Sequence, residues 1–288
     1  SIACGLNEIL TYSFVSPRGV DKINLPADDE KRNFVKIMNP LGEETSVMRT
    51  TLIPNMLDVI STNISHKVEE VSAFECGNTF IPQEGLPIET KKYCVGMYGK
   101  EVDFFVLKGV IESVLNNVGL KGYEIEPETT NLTFHPGRCA KIVYNNIYIG
   151  TFGELHPDVI ENYNLGQRVY VAEINIDTVF ENLNLTKSYN PLPKYPSTSR
   201  DIALIVKDEV FVKQIEDIIK ANGEDLVESY KLFDVYKGAQ IEEGHKSIAY
   251  SITYRSKDKT LTDEDVAKVH EKILSELSEK LNANLRSN

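Results

Sequence analysis

Three prolines stand within ten residues at Asn190–Ser199, where the sequence reads NPLPKYPSTS. Proline has no backbone N–H and fixes its own φ, so this segment cannot continue a helix or a central strand. It also shows no hydrophobic periodicity, which is typical of a linker. We therefore expect two domains, residues 1–190 and 191–288.

The elements after this linker are predicted in the order βαββαβ. The order βαββαβ is that of a ferredoxin-like domain, in which two helices cover one face of a four-stranded sheet and leave the other face open. Thr262 and Asp265 begin the last helix with a near capping box. The predicted strands are Asp201–Lys207, Val227–Tyr236, Lys246–Tyr254 and the short Ala283–Arg286, and the predicted helices are Phe211–Asn222 and Asp263–Asn282.

Period-two alternation along the strands predicts which side chains lie on the open face. In the second strand we expect Phe233 and Val235 in the core, and Leu232, Asp234 and Tyr236 on the open face. In the third strand the open-face residues are expected to be Ala249, Ser251, Thr253 and Arg255.

Sheets that bind RNA by base stacking carry aromatic side chains in a Lys/Arg-Gly-aromatic strand, and this signature is missing here. Tyr236 remains as a candidate stacking platform and Asp234 as a hydrogen-bond acceptor. From the residues alone, an ordinary tyrosine at the end of a strand is the better explanation of Tyr236, because strands are rich in tyrosine.

From Gly5 to Ile174 the predicted strands and helices alternate without an internal repeat. A β-hairpin is predicted where Asn145-Asn146 supplies two residues that tolerate the positive φ angles of a type I′ turn. The sequence therefore predicts an α+β domain with an antiparallel sheet. Its strands are expected at Glu8–Phe14, 71–80 and 91–99, its helices at Pro54–His66 and Asp103–Val118, and its hairpin at 140–152.

The composition limits the classes of function. With 31 Lys and Arg against 43 Asp and Glu, the net charge of −12 argues against broad binding to a phosphate backbone. We expect no DNA binding, and any contact with RNA has to be local. No apolar run approaches the roughly 20 residues that span a bilayer, and the start lacks a signal-peptide pattern, so a soluble cytoplasmic protein is expected. The chain does not begin with Met, which indicates a piece of a longer protein.

No motif marks an active site. His135 and His156 are each followed by Pro, as in structural turns, and the cysteines have no metal-ligand spacing. Nucleophile elbows, zinc-protease motifs and phosphate loops are all missing from the sequence. We therefore predict no catalytic residue and no metal ligand.

Several stretches, taken in order, form a pattern: NPLGEETSVMRTTLIPNML, FECGNTF, DFFVLKGVIESVL, HPGRCAKI, GELHPDV, YPSTSRDIALIV, LFDVYKG and HKSIAYSITYRSKDKTLTDEDV. Together they resemble the C-terminal part of the bacterial phenylalanyl-tRNA synthetase β subunit family. The resemblance covers nearly the whole chain. Each stretch alone would be weak, but their shared order is specific.

The resemblance implies a catalytically silent class II synthetase-like domain followed by a ferredoxin-fold anticodon-binding domain. The implied partners are an α subunit, in an α2β2 heterotetramer, and tRNA(Phe). The holoenzyme would use ATP and Mg²⁺ to attach phenylalanine to the tRNA, whereas this chain would bind neither. In place of the arginine that active relatives carry on one strand, this chain has Phe74-Glu75-Cys76-Gly77.

The resemblance also assigns contacts with the wobble guanine to Asp234, Tyr236 and Ser247, of which Ser247 rests on the resemblance alone. It further implies an apolar patch near Asn39–Leu57 for the α subunit. Two alternatives stay open: a stand-alone RNA-binding module with a degenerate synthetase-like domain, and an independent class II enzyme. The missing aromatic strand argues against the first, and the missing arginine argues against the second.

Overall fold

The computed structural model describes residues 1–183, 186, 189, 191–238 and 240–286. The chain divides into two units, residues 1–187 and 188–288. Of the predicted linker, Asn190 lies outside the described residues, and the last two residues already belong to a strand that begins at Thr198. No helix in the described ranges has both the length and the apolar character needed to cross a membrane.

The first unit contains nine strands and five α-helices in its described part. The strands are β1 (Asn7–Glu8), β2 (Phe14–Val15), β3 (Val47–Met48), β4 (Val71–Ile81), β5 (Ile88–Tyr98), β6 (Glu124–Pro127), β7 (Phe134–Tyr144), β8 (Ile147–Leu155) and β9 (Tyr170–Asn175). The helices are α1 (Gly19–Lys22), α2 (Ile53–Ser65), α3 (Phe104–Asn117), α4 (Pro157–Asn162) and α5 (Ile176–Glu181).

Seven of these strands form one sheet in the order β1-β4-β5-β9-β8-β7-β6, and β2 and β3 pair separately. All neighbours in the large sheet are antiparallel except β1 and β4. Consecutive strand residues alternate between two buried clusters, one with α2 and one with α3: Ala73 packs with the first and Phe74 with the second. The α+β class with an antiparallel sheet is confirmed.

Local signals in the sequence set several of these elements. Pro54 lies in the first turn of α2, where a missing N–H costs nothing. Asp103 caps α3 by accepting a hydrogen bond from the backbone N of Val106 at 2.8 Å. Asn145 and Asn146 have φ angles of 49° and 64°, as the predicted hairpin between β7 and β8 requires.

The predicted strand Glu8–Phe14 is wrong over most of its length, since β1 and β2 take only its two ends. Between them, the Thr11 hydroxyl donates to Glu75 Oε2 at 2.7 Å, and the Ser13 carbonyl accepts from the backbone N of Arg49 at 2.9 Å. Residues between β1 and β2 make individual hydrogen bonds and no continuous strand pairing, because they cross from the edge of the large sheet to the small β2–β3 sheet.

The second unit has the predicted βαββαβ order. Its elements are β10 (Thr198–Lys207), α6 (Val212–Asn222), β11 (Val227–Tyr236), β12 (His245–Tyr254), α7 (Asp263–Leu281) and β13 (Asn284–Leu285). The four strands form an antiparallel sheet in the order β11-β12-β10-β13. The capping box of α7 is confirmed: the backbone N of Asp265 donates to the Thr262 hydroxyl, and the backbone N of Thr262 donates to Asp265.

The core of this unit lies on one face of the sheet, under α6 and α7. From β12 it contains Ile248, Tyr250, Ile252 and Tyr254, each with no exposed surface. The alternation predicted for the third strand is therefore confirmed, with Ser251 and Thr253 on the opposite face.

A bulge in β11 changes the alternation predicted for the second strand. Leu232 pairs with Tyr250 and Asp234 with Ala249, so Phe233 is the additional residue between these two pairs. Leu232, expected on the open face, therefore packs against the core, and Phe233, expected in the core, is 54% exposed. Both predictions are wrong because the sequence pattern does not show the extra residue.

The expected burial of Val235 is wrong as well. Its register partner is the buried Ile248, which places it on the core side of the sheet. It remains 51% exposed because β11 is an edge strand with a neighbour on one side only. Past the bulge, Asp234 and Tyr236 stand on the open side.

Candidate nucleic-acid interface

The register of β11 and β12 brings the predicted contact residues together. Tyr236 lies directly opposite Ser247, and Asp234 lies opposite Ala249. Directly opposed residues in an antiparallel pair project from the same face. Because the neighbouring Ile248 is buried in the core, Asp234, Tyr236 and Ser247 all belong to the open face.

These three side chains differ in how much of them a ligand could reach. Asp234 is exposed, and within the described ranges its carboxylate has no hydrogen-bond or ion-pair partner. Tyr236 is 36% exposed, whereas Ser247 is only 3% exposed. The arrangement offers RNA an aromatic ring and an exposed carboxylate, with the Ser247 hydroxyl much less accessible.

Two residues that the sequence did not single out contact the Tyr236 ring. The guanidinium carbon of Arg286 lies 5.6 Å from the ring centroid, and Arg286 Nη2 donates to Gln240 Oε1 at 3.0 Å. Gly238 lies so close to the ring that a Cβ added there would collide with the tyrosine hydroxyl. Alternation along the predicted last strand, Ala283–Arg286, could have placed Arg286 on the open face.

Lysines near this end of the sheet are already engaged with Asp208. Lys237 Nζ lies 2.8 Å from Asp208 Oδ1, and Lys246 Nζ donates to the Asp208 carbonyl at 2.8 Å. Burial lowers the pKa of Lys246, and the positive charge of Lys237 lowers it further. The face is therefore not broadly basic, in keeping with the charge of the chain.

In the first unit, a buried ion pair occupies the segment that the resemblance compares with a catalytic strand. Arg49 Nη1 lies 2.9 Å from Glu75 Oε1, and the same nitrogen donates to the Thr11 hydroxyl at 2.8 Å. Arg49 Nε donates to the Asn78 carbonyl at 2.9 Å, and a Cβ on Gly77 would collide with this guanidinium. Arg49 is thus committed to protein groups and is not placed to hold a phosphate.

Other polar groups of this unit have structural partners. Glu173 Oε1 accepts from the Thr51 hydroxyl and from the backbone N of Leu52, both at 2.7 Å, at the start of α2. His135 and His156 each accept a backbone N–H two residues ahead, as expected of turn histidines. Among the residues that the structure describes, no group of three or more His, Cys, Asp or Glu is arranged to hold a metal ion.

Two family models match the chain. The model described as the phenylalanyl tRNA synthetase beta chain CLM domain matches residues 1–176. The model described as the ferredoxin-fold anticodon binding domain matches residues 193–286.

Curated relatives match over almost the whole chain. The phenylalanine–tRNA ligase beta subunits of Clostridium tetani and Clostridium acetobutylicum are each 47% identical over 288 residues, which cover 99% of this chain and 36% of the relative. That of Symbiobacterium thermophilum is 38% identical over 298 residues, covering 99% of this chain and 33% of the relative. The chain thus spans about a third of the length of these relatives.

Proposed function

Because the chain belongs to the phenylalanyl-tRNA synthetase β chain family, we propose that it is a noncatalytic part of a phenylalanine–tRNA ligase. In this proposal it supports the α subunit and reads the anticodon of tRNA(Phe) during ATP-dependent phenylalanylation. The assembly would be a cytoplasmic α2β2 heterotetramer. Its activity belongs to the complete enzyme, since the matched relatives are about three times as long as this chain.

The observation that carries the anticodon role is the convergence of Asp234, Tyr236 and Ser247 on one open face. An aromatic ring can stack on any base, because every base has a π-face. The exposed carboxylate of Asp234 accepts hydrogen bonds only, which suits the N–H donors on the Watson–Crick edge of guanine. The pair therefore provides stacking from Tyr236 and base selection from Asp234.

The proposal that this chain is noncatalytic rests on the chemistry of the first unit. Activation of an amino acid by ATP needs fixed positive charge at the phosphates and carboxylates for Mg²⁺. Arg49 is occupied by Glu75, and the described residues offer no cluster of metal ligands. We therefore assign ATP and Mg²⁺ to the α subunit and no cofactor to this chain.

The surface proposed for the α subunit shares Leu41 with the segment Asn39–Leu57, near which a patch was expected, and otherwise lies outside that segment. Most apolar side chains of that segment are buried in the core, among them Leu52, Met56 and Leu57. Exposed apolar side chains stand at Leu10, Tyr12, Phe14, Met38 and Leu41, with exposed fractions of 90, 83, 47, 91 and 100%. We call these five residues the apolar strip and propose it as the contact surface, because exposed apolar side chains that are grouped together mark protein interaction sites.

The pairing of strands β2 and β3 connects the part of the apolar strip at Leu10, Tyr12 and Phe14 with the part at Met38 and Leu41. Phe14 pairs with Met48, whose backbone N donates to the Val35 carbonyl at 2.9 Å. The segment that carries Met38 and Leu41 is thus joined through β3 to the segment that carries Leu10 and Tyr12.

Co-purification tests the proposed membership of a heteromeric enzyme. The full-length β subunit that contains this chain should be retained by a tagged α subunit, and the assembly should bind tRNA(Phe). The stand-alone RNA-binding module predicts the opposite combination: RNA binding by the chain that is unchanged by the α subunit, and no retention by it.

A further inference from the structure

We propose that Arg286 is a positioning residue that holds the Tyr236 ring in place for stacking on an RNA base. This inference rests on the proposed function, because it concerns the same open face. It assigns Arg286 no contact with the base. Its role is to fix the ring before RNA arrives.

The backbone places Arg286 on the open face at the opposite edge of the sheet from Tyr236. Leu285 pairs with Leu204, and the backbone N of Arg286 donates to the Ala203 carbonyl at 2.9 Å. The alternation therefore puts Arg286 in line with Ala203, on the face away from the buried Leu204.

The row between Arg286 and β11 contains only small side chains. Ala203 pairs with Ala249, and Ala249 pairs with Asp234. Two methyl groups leave room for a long side chain to extend across the sheet toward Tyr236.

Two contacts then fix the guanidinium at the ring. Its carbon lies 5.6 Å from the Tyr236 centroid, within the range of a cation–π interaction. Its Nη2 donates to Gln240 at 3.0 Å, which ties the group to the loop that follows β11. Within the described part of the chain, Arg286 forms no ion pair with a carboxylate.

Gly238 limits the ring from another direction. A Cβ at this position would collide with the hydroxyl end of Tyr236, so the present ring position depends on glycine. The ring is thus restrained by Arg286 and Gly238 together. A side chain already held in its binding orientation loses less conformational entropy when a ligand binds.

Arg286→Met in the complete enzyme tests the role, because it removes the charge and the planar donor group and keeps an extended side chain. We expect tRNA(Phe) affinity to fall roughly two- to fivefold, the range of an exposed cation–π contact, with kcat and the melting temperature unchanged. Arg286→Lys should restore part of the loss. Arg200→Met is the control, since it removes an arginine of the same unit that pairs with Asp263 instead.

Gly238→Ala provides a second test that leaves both Arg286 and the aromatic ring in the protein. The added methyl should displace the ring and weaken tRNA(Phe) binding to a similar extent. Because the colliding atoms lie at the free end of the tyrosine side chain, the melting temperature should stay within a few degrees of the parent.

A double-mutant cycle separates this inference from the proposed function. On a Tyr236→Ala background, Arg286→Met should change affinity by less than about twofold, because there is no ring left to position. If Tyr236→Ala weakens binding but Arg286→Met does not, the positioning role of Arg286 is wrong, whereas the proposed stacking of Tyr236 on an anticodon base is retained. A full effect of Arg286→Met on the Tyr236→Ala background, or tighter binding by Arg286→Met alone, also overturns the positioning role. If Tyr236→Ala itself has no effect on affinity, both proposals fail.

Discussion

Arg49, which follows β3, and Glu75, which lies in β4, form a buried ion pair. The two charged atoms lie 2.9 Å apart, and the side chains are only 3% and 1% exposed. Burying charge is costly unless it is paired and hydrogen-bonded, and here Thr11 and the Asn78 carbonyl supply the additional bonds. The pair therefore has a structural role in the strand that the resemblance compares with a catalytic strand.

Glu75→Leu should destabilise the first unit by about 3–5 kcal/mol, because it leaves Arg49 buried without a counter-charge. The double variant Arg49→Met with Glu75→Leu should recover most of this loss, since it removes both charges together. Urea denaturation of the chain, with the unfolding of the first unit monitored, measures the free energy of unfolding of both variants. A double variant no more stable than Glu75→Leu would show that the pair is not the source of the effect.

Asp234→Asn should act mainly on discrimination between bases. The carboxylate accepts hydrogen bonds only, whereas an amide can also present a donor to the wrong base. We expect the kcat/KM ratio between tRNA(Phe) and a variant with adenine in place of the wobble guanine to fall by roughly tenfold. Asp201→Asn, an exposed carboxylate in the same sheet, should leave the ratio unaltered. An equal loss for both tRNAs would count against base selection by Asp234.

This chain alone should not catalyse ATP–pyrophosphate exchange with phenylalanine. The guanidinium that could meet the phosphate charge is held by Glu75 and Thr11. The measurement is radiolabelled pyrophosphate incorporation by a preparation shown to be free of α subunit. Exchange above background would overturn the noncatalytic assignment.

Leu10→Ser combined with Tyr12→Ser should weaken association with the α subunit by roughly thirtyfold, because an interface anchor costs about 1 kcal/mol or more when it is truncated and two such losses add to about 2 kcal/mol. Both side chains are more than 80% exposed, so the fold should be retained. Leu86→Ser is the matched control, an apolar residue 84% exposed outside the apolar strip. Affinity for α that is unchanged by the double substitution, or equally reduced by the control, would remove the apolar strip from the interface.

The sequence predicted those parts of the fold that depend on local signals. The capping box at Thr262 and Asp265 and the turn at Asn145-Asn146 form as expected, because neighbouring residues determine them. The strand expected at Glu8–Phe14 fails because Thr11 is drawn to Glu75, which is 64 residues away in the chain. No local pattern carries such a contact.

The candidate site was predictable to a similar degree. Alternation placed Asp234 and Tyr236 on the open face correctly, although the bulge at Phe233 reversed the residues before them. Arg286 was missed because its partner ring lies across the whole sheet, and only tertiary structure brings the two together. Whether these residues bind RNA stays a prediction.

The most direct test of the account is tRNA(Phe) affinity and thermal stability measured on the same Tyr236 variants of the complete enzyme. If the ring stacks on an anticodon base, Tyr236→Ala should weaken binding by about 1–3 kcal/mol at an unchanged melting temperature, and Tyr236→Phe should lose much less. An alanine variant that melts at a lower temperature but binds tRNA(Phe) with parental affinity would contradict the account, because Tyr236 would then be an ordinary structural residue at the end of its strand.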